Sequence, residues 1–153
     1  MIDFDKLVEK FKTKIKINEE KQRYLNDVVN PMVDKYFKEN FVQTFSDLIT
    51  ELNQRVGSTV ITFTLESKNR YVIQGLYHRI LFQKSNVDVM ENIISVDIVP
   101  IYIWKGVTKH LGPISMFINP ETQEVKWDLP DEDIKNYALS LFNNLVEDED
   151  FSM

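Results

Sequence analysis

The chain has 153 residues, 43% of them apolar and 27% charged, with a formal net charge of −6. A chain of this length fits one domain able to bury roughly 68–70% of its unfolded surface, and its composition excludes collagen-like, wholly disordered and low-complexity classes. It has no cysteine, which excludes disulfides, thiol catalysis, zinc fingers and iron–sulfur clusters.

Residues 1–56 read as helical. Phe4, Leu7, Val8, Phe11 and Ile15 recur at helical spacing, with Asp3 as the N-cap and Ile2 placed to staple onto Leu7. Lys10 to Ile17 also alternates with period two, but the upstream pattern favours helix. A fresh start is expected at Asn18, and a restart or kink at Asn30-Pro31. From Met32 to Val56 the stripe Val33, Phe37, Phe41, Phe45, Leu48, Leu52 and Val56 predicts one long core-facing helix, capped by Gly57.

Residues 57–129 read as an antiparallel sheet of about five strands. The expected strands are Thr59–Leu65, Tyr71–Gln83, Glu91–Trp104, Ile114–Ile118 and Val125–Leu129. Ser67-Lys68-Asn69, Lys84-Ser85-Asn86 and Lys105–Pro113 are expected connections, and Pro120 opens the turn of the last hairpin. Gln123 in that turn takes a place that favours glycine. Pro100 is expected to mark a bulge or an exposed edge, because proline cannot donate to a central ladder. Residues 130–146 form the last helix, with Asp131, Glu132 and Asp133 complementing its N-terminal dipole and Ile134, Tyr137, Ala138, Leu141 and Leu145 as its buried stripe. Residues 147–153 are an acidic tail. The expected class is therefore a single α+β domain.

The charge is unevenly placed. Residues 1–56 carry ten basic and ten acidic side chains, residues 57–128 seven of each, and residues 129–153 one and seven. A neutral body argues against nucleic acid as a partner. No apolar run reaches membrane-spanning length and the N-terminal residues lack a signal-peptide pattern, so a cytoplasmic location is expected.

The second and third expected strands are apolar on both faces, unlike a sheet covered on one side only. Three things would cover the second face: the N-terminal helices, another protein chain, or a small apolar ligand. Leaving such side chains wet forgoes roughly 1.5–3 kcal/mol each.

Catalytic signals are weak. Two histidines, His78 and His110, make no metal motif, and four glycines exclude P-loop and Rossmann fingerprints. No cofactor or metal is expected. The one polar grouping worth testing is His78, Arg79 and Asp97, placed close together if the strands reverse at Lys84–Asp88. Tyr102, Trp104 and His110 are candidates for a recognition surface. Lys10, Lys14 and Lys12, Lys16 flank the N-terminal apolar stripe on its two sides, an arrangement suited to an acidic partner or to an anionic membrane touching residues 4–17. The expected function is a non-catalytic protein-interaction module of adaptor, chaperone or inhibitor type, self-associating as a homodimer or bound to another protein. A carrier of a small apolar molecule and a peripheral membrane protein are the alternatives.

Overall fold

The computed structural model describes residues 3–146 and divides into two compact units, Met1–Lys35 and Tyr36–Met153. The acidic tail at 147–153 and the staple from Ile2 lie outside the described residues.

In the first unit, helix α1 spans Phe4–Tyr24. Asp3 caps it by accepting a hydrogen bond from the Asp5 N–H at 3.1 Å. The helix runs through Asn18 without restarting. A π turn at Leu25–Val29 follows, in which the Asn30 N–H donates to the Leu25 carbonyl, and α2 spans Asn30–Phe37. The expected break at Pro31 is thus met by a π turn. Proline lacks the donor for the i−4 carbonyl and crowds it, and a π turn just upstream accommodates that fault without ending the helix.

In the second unit, another π turn covers Lys38–Val42 and α3 spans Gln43–Val56. Its cause can be read from the spacing. Phe37, Phe41, Phe45 and Ile49 recur every four residues, so on a pure α-helix the row would drift by about 40° per step. One inserted residue turns it back by about 100° and keeps the row on one face. All four side chains are buried. Gly57 ends α3 in the left-handed region (φ 81°), which only glycine adopts freely.

Seven strands form one antiparallel sheet: β1 Thr62–Ser67, β2 Arg70–Gln74, β3 Arg79–Met90, β4 Ile93–Trp104, β5 Val107–His110, β6 Ile114–Ile118 and β7 Val125–Asp128. The order is β1-β2-β3-β4-β6-β7, with β5 paired to β4. The expected second strand is really two. Gly75 to His78 form a turn closed by the Gly75 N–H donating to the His78 carbonyl at 2.8 Å. The expected loop at Lys84–Asn86 is a bulge inside β3, where the ladder to β4 shifts by one residue. The chain reverses later, at Glu91-Asn92. The other unexpected strand, β5, follows Lys105-Gly106, both at positive φ, which is the backbone of a two-residue hairpin.

Pro100 sits inside the sheet, opposite Phe82. Along its other edge β4 pairs with β6 at Ile94–Ile98 and with β5 at Ile101–Trp104. The Pro100 carbonyl accepts from the Leu111 N–H on that side, so the missing donor falls where one partner strand gives way to the next. The physical constraint is the expected one; the place is a partner switch and not an exposed edge.

The buried rings of π turn and α3 meet one sheet face. Phe41 lies 4.4 Å from Phe45, 5.1 Å from Phe82 and 5.8 Å from Trp127 between ring centroids. Helix α4, Ile134–Val146, joins this core through Phe142, 6.0 Å from Phe45, and Tyr137. Burial and, secondarily, the Asp131 charge hold the Tyr137 hydroxyl well above its ordinary range. The folded chain therefore keeps a proton that the unfolded chain gives up near pH 10. Stability is expected to be unaffected by this group below about pH 9 and to fall as pH rises through 10, with Tyr137→Phe flattening that fall in urea titrations.

Candidate interaction surfaces

The polar grouping His78, Arg79 and Asp97 is not assembled. Arg79 opens β3 opposite Ile103, while Asp97 lies six residues along β4, about 20 Å away at strand rise. Asp97 instead accepts a hydrogen bond from the Ser115 hydroxyl at 2.9 Å. The cause is the reversal at Glu91-Asn92: it moves every pair away from the register that a turn at Lys84–Asp88 would set. His78 is buried, its ring stacked on Trp104 (5.6 Å) and tilted against Tyr102 (5.5 Å). Arg79 is exposed.

Tyr102, Trp104 and His110 do not make one surface either. Tyr102 is 3% exposed. Trp104 is half-buried, between His78 and the Lys105 ammonium, whose Nζ stands 4.7 Å from the ring centroid. His110 is exposed and pairs with Ile101, so it points to the face opposite Tyr102. Period-two alternation along β4 separates them.

That opposite face is only partly apolar. Val72, Leu81 and Ile101 line up across β2, β3 and β4. Val72 and Leu81 are buried, Val99, Ile101 and Ile103 half-buried, and Thr62, Thr64, Arg79 and Lys126 around them exposed. The two-sided reading holds for β4. For the expected second strand it came from joining β2 to β3 across the Gly75 turn, where Leu76 and Tyr77 are exposed turn residues and not strand faces.

The larger unburied apolar feature is α1. None of its 21 residues is buried. Phe4 is 75% exposed, Phe11 62% and Ile15 56%. Lys10, Lys12, Lys14 and Lys16 are all exposed, and Lys12 approaches Glu9 at 3.9 Å. From Phe4 to Ile17 five lysines face two acids.

The first π turn sets where the stripe points relative to the turns that follow it. Phe11 and Val29, and likewise Ile15 and Val33, are 18 residues apart, which is five whole α turns. In an unbroken helix they would share a face. The inserted residue at Leu25–Val29 rotates α1 by about 100°, so its apolar stripe leaves the line of Val29 and Val33, which are buried. Helical periodicity alone could locate the stripe but could not show that it points elsewhere; the residue that turns it carries no side-chain mark.

Among the described residues no three His, Asp or Glu side chains gather as a metal site, and no helix is long and apolar enough to cross a membrane. Two hollows of about 710 and 460 Å³ lie open along the start of α4, one lined by Pro130, Asp131, Asn136 and Ser140, the other by Asn40, Thr44, Trp127 and Ile134. No family model, curated protein or solved structure matches the chain.

Proposed function

We propose that the chain is a non-catalytic, cytoplasmic protein-interaction module of adaptor, chaperone or inhibitor type, with α1 as its binding element. The observation that carries this reading is a three-turn apolar stripe, bracketed by lysines, on a helix with no buried residue. Contiguous exposed apolar surface of this kind marks association sites. In the α+β unit the rings of Phe41, Phe45 and Phe82 stand 4.4–5.6 Å apart, which favours this reading over a carrier of a small apolar molecule. Phe11→Glu puts a charge at the centre of the stripe. Affinity capture with the full chain is expected to lose its α1-dependent partners, its own second copy included, on this substitution, while the melting temperature stays within about 1 °C because the site is exposed. Partners retained in full by Phe11→Glu would remove α1 from the account.

An anionic membrane is the competing occupant, favoured by lysines on both flanks of the stripe. Flotation with anionic vesicles, lost in Lys12→Glu/Lys16→Glu, would support it.

A further inference from the structure

The stripe of α1 carries a pattern that selects its own copy. Phe4, Val8, Phe11 and Ile15 are spaced four, three and four, the spacing of a two-stranded coiled-coil seam. We propose that two copies of the chain associate through α1 in antiparallel orientation, centred between Glu9 and Lys10. This rests on α1 being the binding element.

The orientation follows from where the charges fall. Set antiparallel about that centre, Phe4 meets the second copy's Ile15, Val8 meets its Phe11, and the symmetric pairs repeat these contacts. Four layers result, every one apolar on both sides, over about 17 Å of helix. The acids of the segment lie in its first half, Asp5 and Glu9, and four of the five lysines in its second half, Lys10, Lys12, Lys14 and Lys16. Antiparallel pairing therefore lays acidic half on basic half. At the seam's flank Asp5 of each copy faces Lys12 of the other, twice per dimer, and the Lys14 methylenes cover Leu7. A parallel pair would set the lysine-rich halves side by side, and like charges there oppose pairing. The two helix dipoles also cancel only when antiparallel. The segment 4–17, with net charge +3 from five lysines against two acids, is thus tolerated in a self-pair because each copy brings its acids to the other's lysines.

So short a seam, opposed by the cost of association, gives a weak dimer, with a Kd on the order of micromolar. Sedimentation equilibrium on the full chain reads it directly. The wild type is expected to dimerise with rising concentration, and Phe11→Glu to raise Kd at least tenfold. Lys12→Asp and Asp5→Lys, each alone, are expected to weaken the dimer ~2–5-fold, and the double exchange Asp5→Lys/Lys12→Asp to restore it. Residues 5 and 12 are two helical turns apart within one chain, so rescue requires them to meet between chains. Circular dichroism checks that each variant keeps its fold, which the exposure of α1 makes the expected result. A chain monomeric throughout, a dimer indifferent to Phe11→Glu, or a double exchange without rescue would overturn the proposal. If the chain is monomeric but α1-dependent capture of another protein persists, the antiparallel pairing fails and the interaction-module reading stands. If anionic vesicles alone engage α1, both fail.

Discussion

Phe41→Ala is expected to destabilise the chain by about 3–5 kcal/mol, the usual cost of emptying a core phenylalanine site. Phe41 is fully buried and lies in the π turn between α2 and α3, within 4.4–5.8 Å of four other rings, Phe37, Phe45, Phe82 and Trp127. Its neighbours come from a helix on one side and two strands on the other, so they cannot close the gap by a shared small shift. The expected drop in melting temperature is about 10 °C. Phe41→Leu, which keeps most of the volume, should recover more than half of the loss. A loss under about 1 kcal/mol for Phe41→Ala would mean that the ring row does not pin the helix to the sheet.

Asn53→Ala is expected to cost about 2–3 kcal/mol through hydrogen bonds and not volume. Asn53 sits in the last turn of α3. Its Oδ1 accepts from the Val60 N–H at 2.9 Å and the Ile61 N–H at 3.2 Å, and its Nδ2 donates to the Ile61 carbonyl at 2.8 Å. One side chain therefore satisfies three backbone groups where the chain leaves the helix for β1, and it seats Ile61, which is buried. Alanine leaves all three groups without that partner. Asn53→Asp keeps the two acceptor bonds but sets a carboxylate against the Ile61 carbonyl, so its midpoint in urea should fall between wild type and Asn53→Ala.

The elements that periodicity could find were those with one clean period. The Asp3 cap and the last hairpin lie where spacing places them, and Gln123 does take a positive φ of 62°. The Met32–Val56 stripe holds through Phe45 but not beyond, where Ile49 is buried, Leu48 and Leu52 are half-buried and Val56 is exposed. The C-terminal helix begins at Ile134 and not at 130. What spacing could not show were changes of phase. Each π turn inserts one residue without a dedicated side chain, although the four-residue repeat of Phe37, Phe41 and Phe45 is its indirect signature. The β2–β3 reversal hides because Leu76 and Tyr77 are apolar turn residues inside an apolar run. The bulge at Lys84 looks like a loop because it holds Lys-Ser-Asn, and its lysine is in fact buried with Nζ 5.0 Å from the Phe37 ring. The Lys105-Gly106 hairpin was readable, since a two-residue step ending in glycine between Trp104 and Val107 is a turn signal; Gly112 and Pro113 downstream made the stretch resemble a plain connection.

The same limit applied to the surfaces. Lysines on both flanks of an apolar stripe are visible in the sequence, but a helix packed on its own sheet shows the same pattern. What separates the two cases is the exposure of α1 itself, none of whose 21 residues is buried. Conversely, Tyr102 and Trp104 looked available by residue type and are committed to a stack with His78.

Hydroxyl-radical footprinting resolved by residue tests that availability most directly. At submicromolar concentration Phe4 and Phe11 should oxidise at rates near those of free phenylalanine, while Phe37, Phe41 and Phe45 stay protected, and raising the concentration should protect Phe11 in the wild type. Phe4 and Phe11 as protected as the core rings at the lowest concentration would contradict the account.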